Sequence, residues 1–280
     1  MIKQFLKKYI PILIGKKIML QGVFNSKGAV KQAFDLFCTP RKGKIQPHEE
    51  DFLASADSIK IDTNGHNIQI YHWEGTGKTI LLLHGWESNS FRWKNLVVHL
   101  KKANFNILAV DSPAQGQSSG KYLSVPLYTT CLKDIAEIYK PEVLIGHSLG
   151  GMTAIYYQYL VHSETIEKII ALGPPSELKL FMKSFQNTLR FSDSFMKKVD
   201  DYLFNRFGFY AKDFSIATFA KEIKKPGLLV LEKYDELAPF ELSTKIARNW
   251  KDCELFTVKN IGHSLQSPEI NHKIISFLQS

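Results

Sequence analysis

Residues 58–63 and 67–73 alternate apolar and polar positions and are joined by Asn64-Gly65, a pair suited to the two positive-φ positions of a tight hairpin turn. Continuous apolar runs follow at 79–83, 105–110, 143–145, 169–172, 228–231 and 255–258, each leaving room for a helix before the next. Runs of this length that do not alternate read as strands buried on both faces. Between them, 89–103 and 153–161 have helical character. Strands and helices in alternation predict a parallel α/β sheet flanked by helices, with an antiparallel hairpin at its start. A short helix over 29–37, ended by Thr39-Pro40, is predicted ahead of it.

One interval breaks the rhythm. Residues 177–224 contain no convincing strand, yet they hold nine of the 19 Phe. An excursion with so many aromatics cannot be a solvated loop, because exposed aromatic surface on that scale would associate. A helical insertion is predicted, most of its Phe forming its own core and a few facing a substrate cavity. The expected organisation is a basic amino-terminal segment 1–57 packing on the body, an α/β core at 58–176 and 225–280, and the insertion at 177–224.

The first twenty residues place Ile2, Phe5, Leu6, Tyr9 and Ile10 at helical spacing with lysines between them. That pattern is first that of a helix packed on the body, with a helix lying in a membrane interface as the alternative. The apolar piece around Pro11 is short and is followed by Lys16 and Lys17, so export through a signal peptide is not expected. No apolar run reaches the roughly 18 residues a spanning helix needs. The expected location is therefore cytoplasmic, with peripheral membrane contact through the amino terminus as the one qualification.

The formal charge is +9, with 11 Lys/Arg against 5 Asp/Glu in residues 1–60 and near balance beyond. The chain lacks the basic stripe with interleaved aromatics of single-strand binders, so no nucleic-acid partner is expected. Three separated cysteines, Cys38, Cys131 and Cys253, offer neither a disulfide framework nor a zinc finger. There is no metal-ligand spacing and no GxGxxG fingerprint, so no cofactor is implied.

The run at 143–145 leads into Gly146-His147-Ser148-Leu149-Gly150-Gly151 and then into a helix-forming stretch. Gly-x-Ser-x-Gly between a strand and a helix is the setting of a nucleophilic serine. The turn is too sharp for side chains two residues either side of the serine, which accounts for Gly146 and Gly150. Ser148 is then presented at a helix amino terminus, where backbone N–H groups favour developing negative charge.

From residue 58 to the carboxyl terminus the sequence resembles the α/β-hydrolase superfamily, with the insertion where that family carries a helical lid. His84-Gly85-Trp86, after the strand 79–83, is similar to the family's oxyanion loop. The resemblance implies an oxyanion hole made by the N–H groups of Trp86 and Leu149, with His84 holding the loop. Asp111-Ser112-Pro113-Ala114-Gln115-Gly116-Gln117-Ser118 looks like the family's Asp-x-Pro-Gly-His-Gly-x-Ser loop, with Asp111 a turn residue. Here Ala114 and Gln115 replace Gly-His. The family order of Ser, then Asp, then His points to His263 in Ile261-Gly262-His263-Ser264 as base, rather than His272 in the terminal helix. It points to Asp235, with Pro239 in the Asp-x-x-x-Pro pattern, as the acid, rather than Glu232 or Glu236.

The resemblance thus implies a serine hydrolase that cleaves a carboxylic ester through Ser148, His263 and Asp235. Its expected substrate is a small molecule with an apolar acyl or aromatic group. An acyltransferase or lyase on the same site, and a catalytically idle scaffold used for binding, are the rival readings.

Overall fold

The computed structural model describes residues 2–280, with side chains from Tyr9 onward, so Ile2, Phe5 and Leu6 of the amino-terminal pattern lie outside the described side chains. The chain divides into two compact units, one of residues 40–176 and 216–280 and the other of residues 1–39 and 177–215.

The larger unit is built on an eight-stranded sheet. Its strands are β1 (Asp57–Thr63), β2 (His66–Trp73), β3 (Thr79–Leu83), β4 (Asn106–Val110), β5 (Val143–His147), β6 (Lys168–Leu172), β7 (Gly227–Glu232) and β8 (Cys253–Val258). They lie in the order β1-β2-β4-β3-β5-β6-β7-β8. β1 and β2 form the hairpin expected from Asn64-Gly65, both turn residues having positive φ (51° and 73°). β2 joins β4 antiparallel, and every pairing from β4 to β8 is parallel.

The central strands carry almost unbroken apolar sequence because both their faces are covered. All five residues of β5 and all six of β7 are buried. On one face, Leu82, Ile145 and Val230 join Leu96, Leu100, Ile270 and Ile274 in a single core. Those helical residues belong to α4 (Lys94–Lys102) and α11 (Pro268–Gln279). Removing a side chain such as Leu100 from water is worth about 1.5–3 kcal/mol. The sheet also carries α6 (Leu149–Val161), against β5 and β6, and α10 (Phe240–Asn249), against β7 and β8. The remaining helices of this unit are α3 (Pro47–Leu53), α5 (Val125–Tyr139) and the short α9 (Ile216–Phe219).

β8 corrects one expectation. Its apolar run does not make it doubly buried, since Leu255 is 40% exposed. As the last strand in the order it has a neighbour on one side alone. An apolar run records what a strand can bury, while its place in the sheet decides how much it does.

The smaller unit is helical: α1 (Ile2–Phe24), α2 (Ser26–Cys38), α7 (Leu178–Leu189) and α8 (Asp193–Phe207). Residues 1–39 and the insertion share one aromatic core, with Phe34 against Tyr202 (ring centroids 5.2 Å apart) and Phe37 against Phe185 (5.1 Å). Asn25 and Ser192 cap α2 and α8, each accepting a backbone N–H of the first turn. The insertion closes on itself where Glu177 bridges Ser215 antiparallel. Phe219, counted with the insertion in the sequence, belongs to the sheet unit, where it stacks on Tyr159 at 4.5 Å.

Candidate active site

In an open parallel sheet the loops at the carboxyl ends of the strands meet at one edge, and binding sites form there. Ser148 follows β5 directly. Asp235 lies three residues beyond β7, His263 five beyond β8, and His84 opens the loop after β3.

The turn at Ser148 is as tight as its glycines suggested. Ser148 has φ 51° and ψ −118°, a conformation L residues rarely hold without support from their surroundings. A Cβ on Gly146 would sit 2.3 Å from the carbonyl oxygen of Gly150, and one on Gly150 would sit 2.0 Å from that of Leu83. The Ser148 N–H is secured by the Leu172 carbonyl at 2.8 Å.

The structure brings together the three residues singled out as nucleophile, base and acid. Ser148 Oγ lies 2.9 Å from His263 Nε2, and His263 Nδ1 lies 2.6 Å from Asp235 Oδ2. The other carboxylate oxygen of Asp235 accepts the N–H groups of Leu237 (2.8 Å) and Ala238 (3.0 Å). Burial pushes the pKa of Asp235 up, but the hydrogen bond and charge of His263 and the two amides more than offset it, so the pKa falls below its ordinary value. Asp235 therefore stays ionised and holds the proton of His263 on Nδ1, leaving Nε2 free to accept from the serine.

Beside Ser148, a Cβ on Gly85 would lie 3.0 Å from Ser148 Cβ, so the loop carrying Trp86 runs against the serine. Leu149 opens α6, where a backbone N–H has no acceptor within the helix. His84 is fully buried, with Nδ1 donating to the Gly85 carbonyl (2.8 Å) and Nε2 accepting from Ser112 N–H (2.9 Å). Those two partners fix one neutral tautomer, and burial lowers its pKa to about 4. His84 thus braces the loop and does not reach the serine.

The departures from the family pattern after β4 are accommodated. Ala114 holds φ 68°, the left-handed conformation that glycine would take there at lower cost. Gln115 is buried, accepting from Ser88 N–H (2.9 Å) and donating to Ser112 Oγ (2.9 Å), so it ties this loop to the one after β3. Asp111 is a turn residue, accepting from Ser90 N–H, Ser90 Oγ and Gln117 N–H.

Sequence reading missed the groups that position His263. Glu232, set aside as a candidate acid, is buried, and its two oxygens accept Tyr234 N–H and Asn260 N–H at 2.8 Å each, clamping the acid loop to the histidine loop. His147 donates through Nε2 to the backbone carbonyl of His263 (2.8 Å). Burial, with the nearby charge of Arg92, holds its pKa well below the usual histidine range. Arg92 donates to the Ser264 carbonyl (2.8 Å) and has no acidic partner among the described residues. A glutamate directly after the apolar run 228–231 and a histidine inside the Gly-x-Ser-x-Gly turn were the available signals, while nothing local marks Arg92. Among the described residues, no group of three or more His, Cys, Asp or Glu could hold a metal ion.

Comparison with known proteins agrees with this architecture. A family model described as serine aminopeptidase, S33, matches residues 75–206. The AB hydrolase superfamily protein YisY of Bacillus subtilis is 26% identical, over 79% of this chain and 98% of its own. A pimeloyl-[acyl-carrier protein] methyl ester esterase of Vibrio atlanticus is 31% identical, over 37% of this chain and 39% of its own. Among solved structures, the esterase EaEST of Exiguobacterium antarcticum superposes with a TM-score of 0.63 at 18% identity, covering 80% of this chain and 100% of its own, a likeness of fold. Similar over most of its length to a protein named for that superfamily, matched in part by a hydrolase family model, and sharing its fold with a solved esterase, the chain belongs to the α/β-hydrolase superfamily.

Proposed function

We propose that the protein is a carboxylic ester hydrolase that works through an acyl-enzyme on Ser148. The observation that carries this reading is the continuous hydrogen-bonded chain from Ser148 Oγ through His263 to Asp235, set in a strained turn at the start of a helix. His263 Nε2 takes the hydroxyl proton as Ser148 Oγ attacks the ester carbonyl, and the carbonyl oxygen gains the negative charge. The N–H groups of Trp86 and Leu149 receive that oxyanion, a contribution of about 3–4 kcal/mol per donor in such sites. Collapse of the tetrahedral species returns the proton from His263 to the departing alcohol. Water, deprotonated in turn by His263, then releases the acid and restores Ser148.

The substrate is a small molecule with an apolar acyl or aromatic group. The Vibrio relative, whose name is that of a methyl ester esterase, supports an ester as the bond cleaved. Fluorophosphonate labelling with peptide mapping tests the mechanism: label is expected on Ser148 and lost in Ser148→Ala, together with turnover of p-nitrophenyl esters. Label on another residue, or ester turnover surviving in Ser148→Ala, refutes it. Across esters of graded length, kcat/KM is expected to rise from acetyl to medium acyl by up to about fourfold per methylene.

A further inference from the structure

The formal charge of +9 is divided unequally between the two units. The helical unit carries 14 Lys/Arg against 6 Asp/Glu, and the sheet unit 22 against 21. The excess on the helical unit is concentrated at its start, where seven lysines and no acidic residue precede Asp35.

The same segment exposes apolar surface. One side of α1 faces inward, with Ile18 buried and Gly15 so close to α7 that a Cβ would lie 1.9 Å from the Leu189 carbonyl oxygen. The opposite side is open: Leu13 is 64%, Leu20 65% and Phe24 87% exposed. At 100° per residue these three fall within an arc of about 40°, with Lys16 and Lys17 roughly 40–60° to either side. Tyr9, Ile10 and Val23 are also exposed along this helix. An apolar ridge of this length left facing water marks a surface that something covers.

The charge identifies the occupant. A second copy laid on this ridge would bring lysines against lysines, whereas an anionic bilayer meets both demands, taking the apolar ridge below its headgroups and the ammonium groups at phosphate level. Among the described residues no helix is long and apolar enough to cross a membrane, so α1 would lie in the interface. We propose that α1 docks the protein on anionic lipid bilayers, with Leu13, Leu20 and Phe24 inserted and Lys16 and Lys17 against the headgroups. This is independent of the chemistry assigned to Ser148.

Co-sedimentation of the full chain with vesicles tests it, comparing phosphatidylcholine alone with phosphatidylcholine containing phosphatidylglycerol. Binding is expected to be at least tenfold tighter to the anionic vesicles and to weaken as salt rises, each lysine near the surface accounting for about fivefold. The double variant L20E/F24E should lose at least tenfold, and K16E/K17E should lose the preference for phosphatidylglycerol. Both should keep the wild-type melting temperature and turnover of p-nitrophenyl acetate, since the four residues are exposed. Equal affinity for the two vesicle types, or wild-type binding by L20E/F24E, overturns the proposal. A concentration-dependent dimer that L20E/F24E abolishes also overturns it, by assigning the ridge to a second copy.

Discussion

Gly150→Ala and Gly151→Ala add the same methyl group at adjacent positions of one helix, and the structure expects opposite consequences. At Gly150 the new carbon would lie 2.0 Å from the Leu83 carbonyl oxygen and 2.6 Å from that of His84. Carbon and oxygen normally approach to about 3.3 Å, so the end of β3 and the start of α6 must part by about 1.3 Å. Those two pieces carry Trp86 and Ser148. A misplacement of about 1 Å can cost about 100-fold in rate, which is about 2.7 kcal/mol of transition-state stabilisation. Overpacking adds about 1–3 kcal/mol of instability, or roughly 2–5 °C in Tm for a chain whose unfolding entropy is about 0.6 kcal/mol/K. At Gly151 the nearest atoms are the Gly146 carbonyl oxygen at 3.1 Å, Pro174 Cβ at 3.2 Å and Ala171 Cβ at 3.5 Å. There a shift of a few tenths of an ångström suffices, and the helix propensity of alanine returns up to about 1 kcal/mol. The assay is kcat/KM on a p-nitrophenyl ester, the rate of fluorophosphonate labelling, and Tm for both variants. If Gly150→Ala keeps more than about a third of wild-type activity, or if the two variants fall equally, then the elbow is not held by this contact.

Three further outcomes are expected. Asp235→Asn keeps the shape of the acid but not its charge, so kcat should fall by about 10³–10⁴ with little change in KM, and a loss under tenfold would remove Asp235 from the triad. Glu232→Gln leaves one of two buried N–H groups without an acceptor, so Tm should drop by about 2–5 °C and kcat should fall more than KM changes; wild-type values of both would deny the clamp. His84 has a folded-state pKa of about 4 against an ordinary 6.5. The unfolded chain thus binds its proton first as pH falls, and stability present above about 6.5 is lost on acidification toward 4. By about pH 5 the loss is about 2 kcal/mol, or roughly 3 °C, with the lowered pKa of His147 acting in the same direction. Calorimetry at about pH 7.5 and 5 should show a larger drop in Tm for wild type than for His84→Gln, and equal drops would refute it.

What could be read from the sequence was what is encoded locally. Each central strand of the sheet is written as its own apolar run, and Ser148 as its own turn, because burial on two faces and a crowded corner dictate residue types within a few positions. His263 and Asp235 were singled out through family order, which stands in for the spatial information the sequence withholds. The supports of His263 were not legible for the same reason. Glu232 meets Asn260 across 28 residues, His147 meets His263 across 116, and Arg92 meets Ser264 across 172. No spacing rule names such partners. The helical unit shows the limit from another side: amphipathic spacing in α1 said that one face would be covered, but not that residues 177–215 would share its unit.

That unit is assembled from two stretches separated by the 137 residues from Pro40 to Ser176. During synthesis α1 and α2 emerge first, and the α7 and α8 segments follow after an interval of roughly 7–27 s at ordinary elongation rates of 5–20 residues per second. Through that interval Phe34 and Phe37 have neither Tyr202 nor Phe185 to meet. The amino-terminal helices therefore leave Phe34 and Phe37 without their aromatic partners until the insertion is made, while the β1–β2 hairpin and the strands that follow belong to the other unit and can begin to collapse without them.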